Sequence, residues 1–339
     1  MKTIDLENHF ATEMWVDALC AAKEYPRLQR DPENGRFRMY RGPECWEPYG
    51  SIPKLLDLGQ GRIDAMDAAG VDVAALSLCA PGVEHMEPGV GARVAKNAND
   101  VLAAAIDAHP DRFLGFATVA PKDVETAVAE LERTVNELGF KGWNTHSNFG
   151  DSYLDDRRYW PILAKVGELG VPIYLHPTVP RMADFLDHDL TLSAATFGFG
   201  VDASFAMMRL IMSGALDAFP RLTIILGHYG EALPFLVERV DRRYRRGRTD
   251  PGVSGVPSSA QAPSYYLKNN LVVTTSGNYL PQALTCSLDV LGTDRIALGT
   301  DHPYENMREC MEFLAGQPLS LGDKTKLYQE NAVRLGFSR

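Results

Sequence analysis

The chain is expected to fold as an α/β protein of the (β/α)8 TIM-barrel class, and three observations predict this. Eight short β-branched or apolar runs recur along the 339 residues, with helix-length amphipathic segments between them. Several of these runs, VPIYLH and LTIILGH among them, are apolar at nearly every position, as strands covered on both faces require. Gly or Pro signals then end each helical segment directly before an apolar run, in AAGVDV, HPDRFLG, ELGFKG, ELGVPI and AFPRLTI. An open doubly wound sheet is the alternative. It loses its usual anchors, because no GxGxxG follows the first run and no GxxxxGK[ST] occurs.

Strands are expected at residues 3–9, 71–78, 112–119, 141–146, 171–176, 223–228, 271–276 and 295–301. Helices are expected at 57–69, 93–109, 124–138, 159–169, 203–219, 231–244, 282–291 and 305–314, with a last one near 324–335. Two stretches break the rhythm. Residues 24–51 form a long Arg-, Tyr- and Pro-rich insertion after strand one, and residues 249–264 are rich in Pro, Gly and Ser. Loops of that length without their own periodicity are read as lids or surface segments. The alternation resumes after both, so a single domain over residues 1–339 is expected.

Composition excludes several classes of function. With 45% hydrophobic and 23% charged residues the chain is ordinary globular protein. The net charge is −10 and the densest basic patch, at 239–248, is interrupted by Asp241, so a nucleic-acid surface is not expected. Residues 1–10 lack the apolar core of a signal peptide, and the unbroken apolar run at 73–83 is far short of the ~20 residues that cross a bilayer. Five scattered cysteines without a CxxC pair read as free thiols in a reducing compartment. A soluble cytoplasmic protein is expected.

Chemistry is concentrated at strand ends. In a barrel, the C-terminal ends of the strands converge on one rim. Five of the eight expected strands end there in a ligand or proton carrier: Glu7 and His9, His146, His176, His228, and Asp301 with His302. Glu7 and His9 are two apart on a strand and so share a face. Imidazole nitrogen and carboxylate oxygen suit Zn2+, Mn2+ or Fe2+. His176 and Asp301, arriving from strands five and eight, would complete a four-ligand shell with a position left for water or substrate. Taken singly, a strand-end histidine is as readily a hydrogen-bonded core residue and Glu7 a cap or surface carboxylate. The matched set is what points to a metal. His228 stands three residues before Glu231, which can fix its tautomer; the duller reading is a cap at a helix start.

The succession ExH on strand one, YLHP on strand five, LGHYGEALP on strand six and TDHPYE on strand eight resembles the amidohydrolase superfamily. More narrowly it resembles the branch of metal-dependent, non-oxidative aromatic acid decarboxylases. The phrases ANDVLAAAIDAHPDRFLGFATVAPKD and VVTTSGN extend the likeness over residues 3 to 336. The resemblance implies Glu7, His9, His176 and Asp301 as ligands of one Mn2+ or Zn2+ ion, and His228 with Glu231 as the catalytic histidine and its partner. Strand four carries no lysine at its end for a bridging carbamate, since Lys141 stands at its start. His146 departs from the pattern, and either contacts substrate or lies behind the metal.

The implied reaction releases CO2 from an o-hydroxybenzoate-type acid. Protonation of the ring carbon that bears the carboxylate makes that carbon tetrahedral, and the electrons of the breaking bond restore the ring. Asp301 is the expected proton donor, provided that its surroundings raise its proton affinity. His228 would stabilise charge on the hydroxyl oxygen. Arg239, in VERVD, stands at the position of an active-site arginine in some relatives, or else pairs with Asp241. Tyr49 and Arg41, with Arg36, Arg38 and Tyr40, put an aromatic, cationic stretch over the mouth that suits a planar anion, or else form a surface or an oligomer contact. Phe197 and Phe199 supply an aromatic wall or core. The competing readings are a hydrolase of a lactone, ester or amide, a hydratase using metal-activated water, and an inactive scaffold. The resemblance also implies a dimer or tetramer.

Overall fold

All eight expected strands form and stand side by side in chain order. The computed structural model describes residues 2–250, 252 and 258–338. After β1 (Ile4–Phe10) come three short strands, β2 (Arg27–Arg30), β3 (Phe37–Tyr40) and β4 (Trp46–Pro48). The remaining strands are β5 (Val73–Leu78), β6 (Phe113–Ala117), β7 (Gly142–His146), β8 (Ile173–His176), β9 (Ile224–Leu226), β10 (Leu271–Thr274) and β11 (Ile296–Ala297). The order β1-β5-β6-β7-β8-β9-β10-β11 is that of a barrel sheet, and every pair in it is parallel. Backbone bonds from Leu6 N–H to Leu298 O (2.9 Å), Asp301 N–H to Glu7 O (2.8 Å) and His9 N–H to His302 O (2.7 Å) join the end of the sheet to its beginning.

The fully apolar strands predict a core on both faces, and two layers are present. Inside the barrel lie Ile4, Leu6, Val73, Ala75, Leu114, Phe116, Tyr174, Ile225, Val272 and Ala297. Phe337 from the C-terminal segment packs against Phe116 with its ring tilted by 46° and joins this inner layer. Outside, the alternate strand residues meet the buried stripes of the surrounding helices, for example Val94, Ala98 and Leu102 of helix Pro88–Ala108.

Three expectations change. Residues 24–51 are not an irregular loop: β2, β3 and β4 make an antiparallel three-stranded sheet, preceded by helix Glu13–Ala21. The segment alternates cationic and aromatic residues, and stacking of Arg38 over Trp46 and Arg27 over Tyr40 replaces the apolar alternation that marks a strand. The expected helix at 203–219 ends at Met212, because Gly214 (φ 80°) turns the chain before Ala215–Ala218. Thr191–Met212 is long and apolar enough to cross a bilayer by composition, which the run at 73–83 is not. It is broken into Asp189–Ser193 and Gly198–Met212, and the latter buries Ala203, Ala206, Met207, Leu210 and Ile211. Of the stretch 249–264, residues 251 and 253–257 lie outside the described residues.

Candidate metal centre

The first two site residues owe their aim to an irregularity in β1. Ile4 and Leu6 fill the barrel interior, so strict alternation would turn Glu7 outward. A bulge breaks the register, with Asp5 opposite Ala74 but Asn8 opposite Leu76. Beyond it the alternation is reset, and His9 pairs with inward-facing Ser77. The side chain of Asp5 holds the bulge by accepting the Glu7 N–H (3.0 Å) and the Thr300 N–H (3.0 Å). Asp5 is thus fully buried, and burial pushes its carboxyl up to about 6 against those bonds. A bulge beside a site is a recurrent way to re-aim a side chain.

Glu7, His9, His176 and Asp301 are all buried, and one ligand atom from each lies within 4.8 Å of every other. In Glu7, His9 and His176 one polar atom is tied to the protein, and in all four residues one polar atom has no hydrogen-bond partner among the described residues. Glu7 Oε2 accepts from Thr274 Oγ1 (2.5 Å) and from Ser276, whereas Oε1 has no hydrogen bond. His176 Nδ1 meets the carbonyl of Pro177 (2.8 Å) and must be the protonated nitrogen, which leaves Nε2 as a bare lone pair. His9 Nδ1 meets Ser77 Oγ (3.0 Å), and its Nε2 is likewise unpartnered. Asp301 Oδ1 stands 3.0 Å from His9 Nε2, yet neither atom makes a hydrogen bond. Four orphaned acceptors facing one point are costly without a cation and satisfied with one. The donor set fits a single divalent ion of the zinc or manganese kind.

Glycine makes room for this arrangement at the rim of β11. A Cβ on Gly299 would stand 2.7 Å from Glu7 Oε2 and 2.6 Å from the Thr274 Cβ. Side-chain oxygens of Thr274 and Ser276, two apart on one face, thereby reach the Glu7 carboxylate from β10.

His228 does not end a strand as expected. β9 stops at Leu226, and residues 228 to 232 form a left-handed turn, with φ of 51°, 58°, 81°, 53° and 64° at His228, Tyr229, Gly230, Glu231 and Ala232. Four of these residues carry a Cβ, so the turn is strained by roughly 1–2 kcal/mol per residue. The geometry it secures is an i, i+3 pairing in which His228 Nδ1 meets Glu231 Oε1 at 2.6 Å. The opposite nitrogen, Nε2, then stands 3.7 Å from both Glu7 Oε1 and Asp301 Oδ2. Gly277 backs the ring, since a Cβ there would approach His228 Cδ2 to 2.5 Å.

The electrostatics divide the site into a cation and a carboxylate. Burial alone would discharge His228, but the charges of Glu231 and Glu7 and the nearby Asp301 carboxylate outweigh it and hold the ring protonated well above its ordinary range. Burial pushes the Asp301 carboxyl up, and the rings of His228 and His9 outweigh it, leaving the group below the usual carboxylate range.

The remaining expected residues fall in different places. His146 is buried at the end of β7, with its ring T-shaped against His176 (centroids 5.7 Å apart). Tyr49 is buried and hydrogen-bonds Tyr304, whose ring in turn lies 5.7 Å from that of His9. Arg41 is buried, paired with Glu47 and set against the ring of Phe199, with Nε and Nη1 unpartnered among the described residues. Phe197 is 56% exposed, so it is not core. Arg239 is exposed on helix Leu233–Thr249, and Asp241 pairs with Ser264 and Arg245 instead of with it. Sequence reading missed Ser77, Thr274, Ser276, Glu84 and Tyr304. Only TTS in VVTTSGN, two hydroxyls on one strand face at a strand end, offered a signal.

Residues 4–335 match the family model described as Amidohydrolase. A gamma-resorcylate decarboxylase of Rhizobium radiobacter is 38% identical over 291 residues, covering 83% of this chain and 88% of that protein. The crystal structure of 5-carboxyvanillate decarboxylase from Sphingomonas paucimobilis superposes with a TM-score of 0.88 at 33% identity, over 98% of each chain. The dihydroxybenzoic acid decarboxylase of Polaromonas sp. JS666, solved with bound manganese and the inhibitor 2-nitroresorcinol, gives 0.84 at 33% identity over 98% of this chain and 96% of that one.

Proposed function

The chain belongs to the amidohydrolase family, and from that premise we infer that it is a metal-dependent carboxy-lyase releasing CO2 from a hydroxylated aromatic acid. The observation that carries the reading is the buried Glu7–His9–His176–Asp301 donor set. It occurs in a chain whose full-length structural relatives include hydroxybenzoate decarboxylases solved with bound manganese.

Glu7, His9, His176 and Asp301 would hold a divalent ion, which would supply the positive charge that anchors the substrate's carboxylate and neighbouring hydroxyl oxygen and orients its ring. The protein's own residues supply the proton. His228, held protonated by Glu231, is the reservoir, and Asp301 Oδ2, 3.7 Å from its Nε2, relays the proton to the ring carbon bearing the carboxylate. That carbon becomes tetrahedral, the bond to the carboxylate breaks, its electron pair returns to the ring, and CO2 leaves. Arg41, buried with two unpartnered guanidinium nitrogens, and Tyr49 beside it are suited to hold the anionic acid.

We further propose one domain over the chain, a cytoplasmic location, and a homo-oligomer. Phe235 is 79% exposed, and with Leu236 on the same helix and Leu280 it presents apolar surface suited to a second copy. Arg239, one turn further on, belongs to that exposed surface. A screen for CO2 release over hydroxylated benzoic acids, run in parallel with Mn2+ and Zn2+, tests the function. Hydrolysis of a lactone without CO2 would instead identify a hydrolase.

A further inference from the structure

The segment that follows β11 serves two places. It carries Asp301 to the metal donors, and residues 302–308 form one wall of a cavity of about 400 Å³. The other wall is Ala65, Ala68 and Ala69 of helix Gln60–Ala69, with Lys54 of helix Ile52–Leu56 beside them. None of the four metal donors lines this cavity.

The lining sets apolar surface against uncompensated positive charge. Lys54 and Arg308 are exposed, and neither side chain has an ion pair or hydrogen bond among the described residues. His302 is the buried member, only 9% exposed. Its carbonyl accepts the His9 N–H at 2.7 Å, but its ring has no hydrogen-bond partner among the described residues. An imidazole offers at least one N–H in every protonation state, so a donor at the wall lacks an acceptor. The charges that act most strongly on that ring are the cations of Arg62 and Lys54. Arg62 is fixed behind the wall by Asn8 and by the carbonyls of Asp57 and Lys54.

Glu305 is the one acid in the lining, and the strongest charges on its carboxyl are those of Asp301 and His228, on the metal side. The start of helix Met307–Ala315 is already capped, because Asn306 Oδ1 accepts the Arg308 and Glu309 N–H groups. An anion in the cavity would therefore meet side chains and not a helix end. We infer that this cavity is a second binding site, separate from the metal centre, for a small organic carboxylate. Lys54, Arg308 and the His302 ring hold the carboxylate, and the three alanines cover the apolar body. An inorganic oxyanion would use the cations and leave the alanine wall wet. The site does not depend on the decarboxylase reading.

The test is equilibrium dialysis of manganese-loaded protein against radiolabelled benzoate, with manganese content measured in the same samples. Three proteins are compared: the wild type, a Lys54→Gln Arg308→Gln variant that removes the cations, and Ala68→Leu, which fills the apolar side. All three positions are exposed, so folding is expected to survive each change. The wild type is expected to bind one more equivalent of benzoate per chain than either variant, whatever binds at the metal centre. Manganese is expected to stay at one per chain throughout. Unlabelled benzoate is expected to displace that extra equivalent at least about 10-fold more effectively than inorganic phosphate, the effect of covering part of an apolar ring. Equal benzoate in all three proteins overturns the inference. Loss of manganese together with the extra equivalent also overturns it, since the residues would then serve the metal centre. Phosphate as effective as benzoate overturns it too, because the alanine wall would contribute nothing.

Discussion

The backbone N–H of Asp301 donates to the carbonyl of Glu7 at 2.8 Å, so the barrel closes through the main chain of two of its own metal-ligating residues. The first and last strands are held together where their carboxylates meet. The orientation of both residues is thereby coupled to the integrity of the sheet.

Gly299 lies two residues from Asp301 and against Glu7. In Gly299→Ala the new methyl would have to displace the Glu7 carboxylate or Thr274. The expected outcome is a destabilisation of about 1–3 kcal/mol, as for other overpacked sites, with manganese affinity reduced in the same variant. Thermal unfolding with and without manganese measures both.

The hydroxyls of Thr274 and Ser276 both bind Glu7 Oε2 and leave Oε1 for the ion. Thr274→Val removes one of these bonds at nearly constant volume. Manganese affinity is expected to fall by about 10–100-fold, the usual effect of losing a partner of a metal ligand. Equilibrium dialysis against manganese would show it.

Asp301→Asn keeps the side-chain shape but cannot relay a proton. Turnover at saturating manganese is expected to fall by at least about 10²–10⁴-fold, the contribution of a positioned general acid, while binding of the aromatic acid remains measurable by calorimetry. Near-wild-type CO2 release from this variant would remove Asp301 from the proton path.

His85 lies beyond the end of β5, and burial pushes its ring down to about 4 from 6.5. A depressed histidine contributes stability that is complete above 6.5 and is lost as the pH falls toward 4, because the unfolded chain takes up the proton first. Denaturant midpoints are therefore expected to fall across that window, by at most about 1.4 kcal/mol per pH unit from this group. His85→Gln is expected to flatten that part of the profile.

Much of this architecture can be read from the residues. The strand positions, the ExH pair, His176 and Asp301 are legible because strand ends in a barrel converge whatever the detailed register, and His228 with Glu231 is legible from their spacing of three residues. What is not legible has local physical causes. The β1 bulge depends on Asp5 capturing two backbone N–H groups, one of them from Thr300, 295 residues away. The left-handed turn at His228 uses Tyr, Glu and Ala, none of which advertises positive φ. The sheet of β2, β3 and β4 is held by guanidinium–aromatic stacking, which hydrophobic periodicity does not register.

Titration of metal-depleted protein with Mn2+, followed as CO2 released from the hydroxylated benzoic acid that the screen identifies, tests the central claim most directly. Activity should be absent without metal, rise linearly and reach its plateau at one equivalent per chain, with no rise in a Glu7→Gln His176→Ala variant at the same metal concentrations. Full CO2 release from the metal-free protein, or a plateau that the double variant shares, would contradict it.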